Sequence, residues 1–215
     1  MDGLVTVFAR DGLHGVGMVE VARASGVAKP TLYRAHPSKD ALFLACVEAE
    51  VERLLERLYE AWSGVLAVAG PGSGAAVSSV AGEPGRGSAA AVAGAPGAAG
   101  AVSPLAGAIA SLARALLAHA DERPDGFRLL FVTADHRSSA VADDVAGALD
   151  RIVDRLAELL ARHPDWHADP ADAELVAGLL PAAVATAIRR AEEPWDRAAL
   201  ATRVGALLQP PPFAA

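Results

Sequence analysis

The chain has 215 residues, a formal net charge of −7 and 53% apolar residues, of which few are aromatic. That is ample material for a core of Leu, Val and Ala in close-packed helices, as one large domain or two small ones. The single cysteine, Cys46, excludes an internal disulfide and a cysteine-based metal knuckle and fits a reducing compartment. Residues 1–20 lack a basic start followed by an apolar run. No long stretch is both apolar and free of Gly, Pro or charge, so no membrane partner and a cytoplasmic location are expected.

Residues 2–11 predict a short helix, with Leu4, Val7 and Phe8 at helical spacing and Gly12 ending it. Met18 to Ser25 predicts a second, with Val19, Val21 and Ala22 available for burial. Gly26 follows where a left-handed residue is cheapest. A third helix is expected over 29–35, with Pro30 tolerated in its first turn. Pro37 and Ser38 mark a restart, and Ser38 is placed to cap the next helix. That helix, about 39–62, carries Phe43, Val47, Val51, Leu54, Leu58 and Trp62 on one stripe and glutamates opposite.

From Gly64 to Pro104 the sequence is almost wholly Gly, Ala, Ser, Val and Pro, with Glu83 and Arg86 its only charges. So little bulky apolar surface does not offset ordering entropy, and a flexible linker is expected. Helical pattern resumes at Leu105 and is broken at 123–126, after which Phe127, Leu129, Leu130, Phe131 and Val132 form an apolar cluster. Further helices are expected over about 139–163, 170–192 (kinked at Pro181) and 196–208. No segment alternates with period two, so the fold is expected to be all-α.

Two short helices joined by a Gly-containing turn, the second rich in cations and hydroxyls, make a helix-turn-helix over about 18–36. Ala22 is small where the helices approach, Val27 is expected to turn inward, and Leu32 anchors the second helix. Lys29, Thr31, Tyr33 and Arg34 are left to face outward. The acidic sum does not oppose DNA binding, because Arg23, Lys29, Arg34 and Lys39 fall in a stretch from Val21 to Lys39 that has no acid.

The run Gly26-Val27-x-Lys29-x-Thr31-Leu32-Tyr33, followed by Ser38-Lys39-Asp40-x-Leu42, resembles the N-terminal domain of the TetR family of bacterial transcriptional regulators. The similarity covers about residues 4–62 and includes Phe8 and Gly12. Beyond it, Arg123 to Phe131 and Glu193 to Asp196 resemble segments of some members' C-terminal domains.

The resemblance implies an all-α chain: an N-terminal helix-turn-helix three-helix DNA-binding domain plus a C-terminal helical ligand-binding and dimerisation domain. The corresponding segments are 1–45 for DNA binding, 46–63 as a connecting helix, 64–104 as linker and 105–215 for ligand binding and dimerisation. It implies that 29–35 lies in the major groove of double-stranded DNA, with Lys29, Pro30, Thr31, Tyr33, Arg34, His36 and Lys39 as contacts. It also implies a homodimer built from helices at about 139–163 and 171–192, and a small-molecule effector bound among 105–136 and 171–188. Arg128, Thr133 and His136 are its candidate polar contacts.

The chain departs from the family pattern at several places. About ten residues with a basic arm usually precede the position of Met1. Ala28 stands where Ser or Thr usually caps the recognition helix, and Ala35-His36 replaces His-Phe. These departures and the long linker keep open an alternative, a helical small-molecule or protein-binding module with a degraded DNA-binding domain. His119, His136, His163 and His167 lack metal-site spacing and read as surface or pocket residues, and Cys46 reads as a small buried apolar group. No metal, no cofactor and no catalytic constellation is expected.

Overall fold

The computed structural model describes residues 1–68, 103–131, 141–190 and 197–208. These form α1 (Asp2–Gly15), α2 (Met18–Ser25), α3 (Lys29–Ala35), α4 (Lys39–Val68), α5 (Pro104–Glu122), α6 (Pro124–Phe131), α7 (Ala142–Ala161), α8 (Pro170–Arg190) and α9 (Arg197–Leu208). The described residues contain no strand, and the chain is all-α as its periodicity demands.

Leu4, Val5 and Phe8 of α1 are buried, and the Phe8 ring meets Phe43 of α4 edge-on at 5.3 Å between centroids. Gly12 interrupts α1 with φ 71°, a conformation that disfavours side chains, at the position where the helix was expected to stop. The whole predicted stripe of α4, from Phe43 to Trp62, is buried.

Three differences from the sequence reading have physical causes. Val19 is 76% exposed, because an eight-residue helix has one inward face and Val21 occupies it. Val27, expected to turn inward, is exposed in the turn. α4 runs through Val68 instead of stopping near 62, since an established helix gains a backbone hydrogen bond per added residue and Val65 packs on the core. The first residues of the expected linker are therefore helical. Its other end, Ser103-Pro104, starts α5, where the Ser103 hydroxyl accepts the Ala106 N–H at 3.1 Å. The span 69–102 lies outside the described residues.

α5 packs along α9 and α4, α7 packs on α8, and α6 is set against α1 and α4. α8 is continuous through Pro181. By length and composition its stretch Pro170–Arg189 suits a bilayer, with mean hydropathy 1.5. In this fold it serves as a core helix, with Ala173, Val176, Ala177, Leu180, Val184 and Ala185 buried.

Candidate nucleic-acid interface

The helix-turn-helix forms over the expected residues. α2 ends at Gly26, whose φ of 67° and ψ of 10° place it in the left-handed region that glycine adopts without steric cost, and its N–H donates to the Arg23 carbonyl at 3.3 Å. Ser25 closes the turn from both sides. Its hydroxyl donates to the Ala22 carbonyl at 2.9 Å and accepts the Val27 N–H at 3.2 Å. α3 starts at Lys29 with Pro30 in its first turn and Ala28 as a cap without a side-chain acceptor. Leu32, buried at 6%, fastens α3 to the domain core.

Pro30, Thr31 and Arg34 lie exposed on α3, and Arg34 donates to the Thr31 hydroxyl at 3.4 Å. Lys29 and Tyr33 belong to the same helix. His36 is the half-buried C-cap of α3, its N–H donating to the Leu32 carbonyl at 2.9 Å. Ser38 caps α4 as expected, accepting the Ala41 N–H at 3.0 Å. Lys39 is half-buried and donates to the Val16 carbonyl at 3.0 Å, which ties the start of α4 to the α1–α2 connection. An ammonium has three donors, so this bond leaves others for a phosphate. On α2, Glu20 is paired with Arg10 at 2.8 Å, while Arg23 is exposed. Among the described side chains, Arg23, Thr31 and Arg34 lie exposed on α2 and α3, a combination of cations and a hydroxyl that suits contact with phosphates.

Behind this domain lies a junction that the sequence reading did not reveal. Glu50 of α4, counted among glutamates on the polar face, is completely buried. Arg123, at the α5–α6 corner, grips it with two donors: Nε to Oε2 at 2.9 Å and Nη2 to Oε1 at 2.6 Å. Arg53 adds a third at 2.8 Å. Arg123 also donates to Asp2 of α1 at 2.8 Å, and these contacts hold the Asp2 carboxyl below the usual carboxylate range. Thr6 of α1 donates to Asp125 of α6 at 2.7 Å. Gly126 makes the approach possible, because a Cβ there would intrude on the Glu50 carboxylate. The imidazole of His119 lies beside the pair, its Nε2 3.8 Å from Glu50, and burial pushes its pKa down to about 4. His119 and His163 are buried rather than surface residues. Cys46 is buried as expected, and burial pushes its thiol up to about 12.

The effector candidates divide. Arg128 is exposed on α6, whose Phe127, Leu129 and Leu130 are the residues turned into the core. Thr133 and His136 lie outside the described residues.

Residues 1–46 match the family model described as bacterial regulatory proteins, tetR family. The HTH-type transcriptional activator FasR of Mycolicibacterium smegmatis is 40% identical over 55 residues, 26% of this chain and a quarter (25%) of that protein's length. Among solved structures, a TetR-like transcriptional regulator from Rhodococcus sp. RHA1 is similar with TM-score 0.59 and 23% identity, over 96% of this chain and 90% of that one. The regulator FadR from Bacillus subtilis, solved with stearoyl-CoA, is similar with TM-score 0.61 and 16% identity, over 96% and 94%. The first 46 residues thus match the model of bacterial regulatory proteins of the tetR family, and the fold is similar to that of the TetR-like structure.

Proposed function

We propose that the protein is a ligand-responsive repressor that binds a pseudopalindromic operator as a homodimer in the cytoplasm. The observation that carries this reading is the exposed cation and hydroxyl face of α3, set on a domain whose turn and anchor are fully formed. Thr31 and Arg34, with Lys29 and Tyr33, are assigned to base edges and phosphates of the major groove. Pro30 and His36 flank them, and Lys39 takes a phosphate at the start of α4.

The dimer seam is assigned to α8. Its outward face carries Leu175 at 62% exposure and Leu179 at 46%, with Gly178 and Ala182 between and beyond them. The outward face of α7 instead carries Asp144, Arg151, Asp154, Arg155 and Glu158, which suits water better than a seam. An effector that prefers one spacing of the two recognition helices shifts the population away from operator-bound dimers. The stearoyl-CoA in the B. subtilis structure makes fatty-acyl thioesters the first effector class to assay.

A mobility-shift assay with DNA flanking the protein's own gene tests the reading. The dimer is expected to shift this DNA at low salt. Tyr33→Ala and Lys39→Ala are expected to weaken binding on every sequence, about tenfold each for a lost phosphate contact. Absence of any shift at low salt favours the alternative, a helical binding module whose DNA-binding domain is inactive.

A further inference from the structure

The helix-turn-helix carries exposed apolar residues among its cations. Val27 is 39% exposed, and Ala28 and Pro30 next to it are exposed as well. The turn fixes where Val27 stands. Gly26 before it is left-handed, with φ 67°, and the Ser25 hydroxyl accepts the Val27 N–H at 3.2 Å. Val21 on α2 and Leu32 on α3 already fill the inward positions, which leaves Val27 outside. Exposed Arg23 and Arg34 lie on either side of this apolar stretch in the sequence. Cations flanking apolar groups suit a partner that is anionic along its edges and less polar between them, as the groove of a duplex is.

The residue types missing from this stretch narrow what it can read. From Val21 to Lys39 there is no Asp, Glu, Asn or Gln. Asn and Gln supply the bidentate pairing with adenine, and Asp and Glu the acceptor for the cytosine amine. Guanine stays legible through its two acceptors, which suit a guanidinium such as that of Arg34. For an A·T pair the distinctive mark left is the thymine 5-methyl group, which apolar side chains contact. In a helix-turn-helix the base edges meet the beginning of the second helix, while the first helix crosses the backbone. Val27 and Ala28 adjoin that beginning, since α3 starts at Lys29.

We propose that Val27 and Ala28 are specificity-determining residues that read the 5-methyl group of a thymine in each operator half-site. The inference rests on the operator-binding reading above and deepens it by naming the base feature that is read. Arg23 and Arg34 supply charge, which attracts any duplex, whereas the apolar contact separates thymine from cytosine and from uracil.

The test uses the full chain and duplexes carrying the sequence it selects from random DNA. Each thymine of a half-site is replaced in turn by deoxyuridine, which pairs identically and lacks only the methyl. At one position the replacement is expected to weaken binding about fourfold, the effect of one buried methyl, and about fifteenfold when made in both half-sites. Val27→Ala is expected to bind the thymine duplex more weakly and to bind thymine and deoxyuridine duplexes alike. Its salt dependence should match that of the wild type, because no phosphate contact is lost. Should Val27→Ala fail to fold, Val27→Thr, which keeps the side-chain volume, takes its place with a reduced preference expected. A wild type indifferent to every deoxyuridine, a selected half-site without thymine, or a variant that keeps the full preference overturns the proposal. A pool that stays random removes the operator-binding reading and the proposal with it, an outcome distinct from those three.

Discussion

A carboxylate with no solvent exposure is tolerable only where donors replace the water it has lost, and Glu50 receives them from Arg123 twice and Arg53 once. Removing the main partner exposes the cost. Arg123→Met should lower unfolding stability by about 3 kcal/mol, because it strands the buried carboxylate and releases Asp2. A urea midpoint shift worth less than about 1 kcal/mol would show that the pair is not holding the junction. The histidines set a second expectation. Burial lowers the pKa of His119 to about 4, and that of His163 falls for the same reason, against about 6.5 in the unfolded chain. The unfolded state therefore binds more protons between these values. Stability is full above about pH 6.5 and is lost as pH falls toward 4. Melting temperature measured across that window should fall with acid, and His119→Phe should flatten part of the slope. A flat profile in the wild type would contradict this account of the buried rings.

At the scale of elements, α3 is the least supported. It has seven residues, and its cap, Ala28, offers no side-chain acceptor. Ala28→Ser supplies one to the first-turn amides and should stabilise the protein by about 1 kcal/mol in thermal unfolding. No gain, or a loss, would mean that the turn does not present the geometry described. The same elements show what a single sequence discloses. The helices of the DNA-binding domain and the stripe of α4 were legible because apolar period, Gly26 and Ser38 are local signals. Glu50 was misread because its charge suggested solvent, although position 50 sits one turn from Val47 and Leu54 on the buried stripe. Its partner lies 73 residues away, so no local pattern could reveal the junction. Val19 and Val27 were misplaced because short elements bury less than their apolar content suggests. The candidate effector contacts were the least legible, since a pocket is assembled by packing, and of the three only Arg128 lies among the described residues, where it is exposed on α6.

At the scale of the whole molecule, an acidic chain carries one basic, hydroxyl-bearing helix on a domain that Arg123, Asp2, Thr6 and Asp125 tie to the rest of the fold. One short helix reads too few base pairs for a unique site, so the proposed operator binding calls for two copies on successive major grooves. The proposed α8 seam supplies that pairing. Selection of binding sites from random duplex DNA, with wild type and the seam variant Leu179→Glu side by side, tests this claim most directly. The wild type should enrich one pseudopalindromic sequence whose half-sites lie about one helical turn apart, or a multiple of it. Leu179→Glu should enrich single half-sites weakly or nothing. A wild-type pool that remains random at low salt, or one enriched for an asymmetric single site by both proteins, would contradict a dimeric operator-binding regulator.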